Sequence, residues 1–216
     1  IDAGASPELM AGLYGDFGLR AAHRDRAAVR CNWKLLVQNF QESHHFPLVH
    51  PELEARTPWA ESDSRTLGDH WLGGAMPLEA GAETVSESSS RMGRPYLAAP
   101  ADRRMVWDAL LFPGVLTSLQ PDYLLVYRLT PVTPSTTEID FSIFVHAEAP
   151  PGSDLDLVSF WDRVNRQDRA ICERQQRGVT ARSYEPGRYA PSEDGVHAFD
   201  ASLARRYLAA LAEAAP

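Results

Sequence analysis

Four stretches in the middle of the chain carry an apolar rhythm of two. Segments 106–112, 115–119 and 123–129 are rich in β-branched and aromatic residues and are parted by Pro or Gly. Segment 136–146 alternates outright, with Ile139, Phe141, Ile143 and Val145 on one face and Asp140, Ser142 and His146 on the other. Consecutive strands joined by short turns predict an antiparallel sheet.

The rhythm changes to a helical one at both sides of this block. In 154–178, Leu157, Trp161, Val164, Ile171 and Gln175 recur at helical spacing, and Gly178 suits a C-cap. A last amphipathic helix is predicted over 196–211. Upstream, Asn32 is a good N-cap, and no Gly or Pro interrupts the chain from Trp33 to His45. Pro47 would clash in a helix interior, so that helix is expected to end near His45. The remainder is less patterned. Segment 7–14 fits a short helix, 20–30 a strand or extended link, 66–92 short strands and mobile loops, and 91–104, with Pro95 and Pro100, a loop. An antiparallel sheet wrapped around helices is an α+β fold.

Length and composition narrow the class. The 216 residues suffice for one domain with a real core, and 44% hydrophobic with 23% charged residues fits a globular protein. A formal charge of −8 without any Lys/Arg run argues against nucleic acid as a partner. No apolar run reaches membrane-spanning length, and no signal peptide is visible, so no membrane partner is expected. Cys31 and Cys172 are too few for a disulfide framework and suit a reducing cytoplasm. There is no phosphate-cradling Gly loop and no Ser or Cys nucleophile with a paired base.

The chemistry gathers in Asn32 to Pro51, NWKLLVQNFQESHHFPLVHP. On an unbroken helix His45 and His50 would point about 140° apart, but a break at Pro47 frees His50 to swing back. Glu42 lies one turn before His45 and would share its face. Two imidazoles and a carboxylate make a site for a divalent metal. The same positions, with Gln38 and Gln41, would also make an ordinary solvated stripe. A third ligand is available in Asp168, which falls within the apolar stripe of 154–178. An acid there needs a metal, an interior Arg, or a rotated helix that exposes it. Two His and one carboxylate form the facial triad of non-heme Fe(II) oxygenases, which leaves positions open for O₂ and substrate.

These residues carry a resemblance. NWKLLVQNFQESHHFPLVHP resembles the motif NWKxxxENFxExYHxxxxHP of the catalytic domain of Rieske-type ring-hydroxylating oxygenase alpha subunits. FWDRVNRQDRAICERQQRGV, around Asp168, and FPGVLTSLQPD, from Phe112 to Asp122, are similar to two further segments of that family. The resemblance runs over nearly the whole chain and looks closest to the branch acting on glycine betaine, carnitine and stachydrine. It implies a helix-grip, START/Bet v 1-like fold, Fe(II) held by His45, His50 and Asp168, and a Glu42 that bridges towards a neighbouring subunit's Rieske centre. Gln38, Ser43 and His44 depart from the family pattern; losing the usual Tyr at His44 bears on hydrogen bonding around the ligands rather than on the ligand set.

A Rieske [2Fe–2S] cluster needs two Cys and two His in paired motifs, and this chain has no such pairing. The cluster is therefore expected on an N-terminal domain outside this chain, which would be one part of a longer protein with 1–216 as its mononuclear iron domain. The resemblance further implies a homotrimer, a reductase as electron donor, and O₂ with a small organic molecule as substrates, for hydroxylation or N-demethylation. The rival readings are a metal-free module binding a small ligand, a Zn²⁺ hydrolase on the same three ligands, and a ring hydroxylase of aromatic acids. A quaternary ammonium would be held by aromatic faces such as Trp71, Trp107 and Tyr123, or by a carboxylate; an aromatic acid would call for an inward Arg such as Arg128.

Overall fold

The structure is a computed structural model and describes residues 18–66 and 71–214. Its centre is one seven-stranded antiparallel sheet, in the order β1-β7-β6-β5-β4-β3-β2. In chain order the strands are β1 (Leu19–Val29), β2 (Asp63–Thr66), β3 (Trp71–Pro77), β4 (Met105–Leu111), β5 (Val115–Leu119), β6 (Tyr123–Thr133) and β7 (Thr136–His146). The helices are α1 (Trp33–Phe40), two single turns α2 (Phe46–Val49) and α3 (Pro51–Glu54), then α4 (Leu155–Val179) and α5 (Asp194–Glu213). The expected helix at 7–14 lies outside the described residues.

The four patterned strands form where the alternation places them. β6 runs four residues beyond the expected Leu129, through Pro131. Proline is tolerated there because β5 has already ended, its last partner on that side being Val115 opposite Arg128, so no neighbour needs the missing N–H. The 20–30 stretch is a full strand, β1, paired with β7 from Leu19 opposite His146 to Val29 opposite Thr137. Within 66–92 the only described strand after β2 is β3, and 91–104 is a loop with one short 3-10 turn at Pro100–Asp102.

Two helix predictions are corrected. α1 begins as expected, the Asn32 side chain accepting from the Lys34 amide at 3.0 Å, but it ends at Phe40 rather than near His45. The Glu42 carboxylate accepts the amides of His44 (2.5 Å) and His45 (3.3 Å), satisfying in a turn the donors that a longer helix would have paired. Pro47 and Pro51 then each occupy the first turn of a new helix, where no N–H is needed. In α4, Gly178 is inside the helix, not its cap; Thr180 ends it, its hydroxyl donating to the carbonyl of Gln176 at 2.9 Å. The buried stripe of α4 is Leu157, Phe160, Trp161, Val164 and Cys172, with Gln175 turned to solvent.

α4 covers one face of the sheet. The Trp161 indole donates to the Tyr123 hydroxyl at 2.9 Å, and Leu157, Phe160 and Val164 pack with Leu125, Ile143 and Val145. A second apolar cluster joins Val37, Leu110, Cys172 and Phe199, from α1, β4, α4 and α5. Tyr127 packs against both clusters, and a cavity opens between them.

Candidate metal centre

Two short pieces of backbone bring the metal-ligand candidates together. The tight turn after α1 presents His45, and the joint between α2 and α3 turns His50 inward until it is fully buried. His50 does swing back towards His45, but through the joint at His50 between α2 and α3, and not through a break at Pro47, which lies inside α2. Asp168 comes from the middle of α4, 118 residues from His50 in sequence. One donor atom from each of His45, His50 and Asp168 lies within 4.8 Å of the others. His50 Nε2 stands 2.8 Å and His45 Nε2 3.5 Å from Asp168 Oδ1, and the two imidazole rings are 5.0 Å apart between centroids.

Each imidazole is held from behind. Glu42 Oε1 lies 2.5 Å from His45 Nδ1, and Gln167 Oε1 lies 2.7 Å from His50 Nδ1. An acceptor at Nδ1 fixes the proton there and turns the Nε2 lone pair forward, which is how ligating histidines are oriented. Asn39 donates to Asp168 Oδ1 at 2.7 Å, so three side chains point at one carboxylate oxygen. Burial lowers the His45 pKa, but hydrogen bonds to Asp168 and Glu42 outweigh it and hold the ring up at about 9. Burial likewise opposes ionisation of Asp168, yet its hydrogen bonds to His45 and His50 bring it well below the usual carboxylate range.

Three convergent donors, two of them neutral nitrogens once deprotonated and one a carboxylate, fit a divalent iron and leave part of its coordination sphere open. Glu42 sits against His45 as expected, though through a turn and not along a helix face. The polar stripe anticipated for that helix is not solvated either, since Gln38 donates to both carboxylate oxygens of Asp200 on α5 at 2.9 Å. His44 stacks near Trp59, 5.0 Å between centroids, outside the donor cluster. Sequence reasoning missed Asn39 and Gln167. Gln167 is the chain neighbour of Asp168, but nothing in its spacing announced a partner on the far side of the fold.

The centre opens on a cavity of about 150 Å³, room for a molecule of about benzene's size. Its aromatic lining is Phe40, Phe46, Tyr127, Phe141 and Trp161, not the residues expected from sequence. Tyr123 is buried in the core, its hydroxyl donating to the Val85 carbonyl at 2.5 Å. Trp107 falls between the cavity-lining Val106 and Asp108 and so belongs to the other face of β4. The Trp71 side chain lies outside what the structure describes. Arg128 is turned outwards, 63% exposed and 2.5 Å from Asp140, because its strand neighbours Tyr127 and Leu129 take the inner face.

The chain is similar to several known proteins. The glycine betaine monooxygenase oxygenase subunit of Chromohalobacter salexigens is 25% identical over 203 residues, covering 79% of this chain and 46% of that protein. The chloroplastic choline monooxygenase of Beta vulgaris is 24% identical over 188 residues, covering 85% of this chain and 39% of that one. The chain thus spans less than half the length of either. Among solved structures, the quaternary ammonium Rieske monooxygenase CntA superposes with a TM-score of 0.71 at 21% identity, over 88% of this chain and 50% of CntA. Dicamba monooxygenase gives 0.65 at 16% identity, over 94% and 63%. Both share the helix-grip-like fold of an antiparallel sheet with helices. With residues 18–209 matching the ring hydroxylating alpha subunit catalytic domain, the chain belongs to that family, the Rieske non-heme iron oxygenases.

Proposed function

We propose that 1–216 is the catalytic domain of a Rieske oxygenase that hydroxylates or N-demethylates a small quaternary ammonium compound with O₂. The carrying observation is the convergence of His45, His50 and Asp168 on the wall of a small, largely apolar cavity. These three residues would hold Fe(II), which when bound supplies the redox chemistry that activates O₂. Glu42 and Gln167 fix the two imidazoles, and Asn39 fixes the carboxylate. Phe46, Phe141 and Trp161 keep bulk water from the substrate.

Glu42 also stands where electrons would enter. Its side chain is 16% exposed while its carboxylate touches His45, so it can face a neighbouring subunit and the ligand set together. Reducing equivalents would come from a reductase through a [2Fe–2S] cluster on a domain outside this chain, across a homotrimer boundary. Cys31 and Cys172 are both buried and free, in keeping with a reducing cytoplasm. Among the described residues no helix is long and apolar enough to cross a membrane.

The substrate class follows the lining. An aromatic acid would need a cation; Arg128, the candidate for that, is turned away, and Arg169, which lines the cavity, faces Asp25 at 3.6 Å. The names of the relatives point to glycine betaine and choline.

Elemental analysis after anaerobic reconstitution tests the ligand set. Stoichiometric iron is expected in the wild type and in Glu42→Gln, and its loss is expected in His45→Ala. With the natural electron donor, Glu42→Gln should retain iron yet lose most turnover. Zinc retained in place of iron, with no O₂ consumption, would overturn the proposal.

A further inference from the structure

The sheet wall of the cavity carries a polar patch that the ligand set does not use. Asp108 on β4 lies directly opposite Ser118 on β5, and Gln120 follows two residues later on the same face; all three line the cavity. Gln120 is 1% exposed, and its amide nitrogen donates to Ser118 Oγ at 2.9 Å. Ser118 in turn hydrogen-bonds Asp108. One N–H of the Gln120 amide and the Ser118 hydroxyl are thereby used within the patch, and two oxygens are left. Asp108 Oδ1 and Gln120 Oε1 are both shut off from solvent without a hydrogen-bond partner.

Two unsatisfied acceptors lining one largely apolar cavity are costly unless something positive meets them. Nothing in the described lining does so. Arg169 faces Asp25 at 3.6 Å, while His45 and His50 are held by Glu42, Gln167 and Asp168. On β3 the residue opposite Asp108 is Gly74, which adds no side chain over the carboxylate. Burial pushes the Asp108 carboxyl up to about 7, as befits an acid with no counter-charge. Tyr127 and Phe141, with ring centroids 4.7 Å apart, supply aromatic faces in the same cavity.

We propose that Asp108 and Gln120 form the subsite that seats the cationic head of the substrate in the cavity on which His45, His50 and Asp168 open. A quaternary ammonium has no N–H to donate, so recognition rests on the Asp108 charge and the negative end of the Gln120 amide. This rests on the reading that the substrate is a quaternary ammonium compound.

The test compares choline with its neutral isostere 3,3-dimethylbutan-1-ol by calorimetric titration of the full chain. Asp108→Asn should weaken choline binding tenfold or more and leave the neutral alcohol unchanged. Gln120→Met should weaken choline alone, by about threefold. Because Asp108→Asn removes an uncompensated buried charge without changing shape, its ligand-free melting temperature should not fall, which separates lost recognition from lost fold. Choline binding that is equal in wild type and Asp108→Asn would overturn the subsite alone. Equal losses for choline and the alcohol would do the same. A wild type that binds the alcohol but no choline would overturn both the subsite and the quaternary ammonium reading.

Discussion

His45 is pulled in two directions, and its protonation decides how the centre fills. Without metal, Asp168 and Glu42 keep the ring protonated up to about 9, although burial works against the charge. A folded-state value raised above the ordinary imidazole value, about 6.5, contributes stability that is fully present below that value. That contribution is lost as pH rises through the folded value. The metal-free protein should therefore lose stability between pH 6.5 and 9. Metal binding needs the same nitrogen deprotonated, so affinity should climb over that window and the loaded protein should be spared the loss. Melting curves recorded across the window with and without Fe(II), under anaerobic conditions, check both. A metal-free curve that is flat over this range would show that His45 is not charged there.

At the scale of elements, α1 matters because its two ends are tied to different parts of the fold. At its start, Asn32 caps the helix through Lys34 and also donates to the Pro134 carbonyl in the β6–β7 turn at 2.7 Å. The Asn32 amide donates to Gln176 Oε1 on α4 at 2.8 Å. Replacing Asn32 with Ala should cost about 1–2 kcal/mol, the upper range for a lost cap, because a tertiary bond goes with it. A shift of the urea midpoint at unchanged slope would report that loss, and no shift would show that the cap is redundant. At its other end, the turn stabilised by Glu42 sets where His45 sits. The expected run to His45 rested on the absence of Gly and Pro across 33–45, which does not mark the stop at Phe40. That stop depends on a side-chain carboxylate competing for backbone amides, a choice that the apolar pattern does not encode.

Across the whole molecule, one buried ion pair holds the long loop after β3 to the sheet. Arg94 and Asp122 are both fully buried, with Arg94 Nε 2.6 Å from Asp122 Oδ2. Arg94 also donates to the carbonyls of Ser90 and Ser153 and reaches Asp156 at 3.1 Å, so loop, β5–β6 turn and α4 meet on one guanidinium. Arg94→Ala should destabilise by about 3–5 kcal/mol, since it strands Asp122 in the interior. Adding Asp122→Asn should recover part of that loss, which chemical denaturation of the single and double variants would show. If the double variant were as unstable as the sum of the two singles, the penalty would lie in packing rather than charge.

Four strands of the sheet and the three candidate metal-binding residues were legible in the sequence alone. Period-two alternation is a local property, so 136–146 could be read correctly without knowing its neighbours, and the motif residues His45, His50 and Asp168 are the ones that converge. Tertiary structure decided what those side chains meet. Arg128 and Tyr127 are adjacent in a strand, and only the placement of α4 over one face makes Tyr127 line a cavity while Arg128 pairs with Asp140 outside. No local pattern singles out Asp108 or Gln167. What matters for each is what stands across from it, which is His50 for Gln167 and, among the described residues, no hydrogen-bond partner for Asp108 Oδ1. Local propensity sets which way a residue can point; the solvation and charge it finds there are set by distant chain, and no local pattern encodes that.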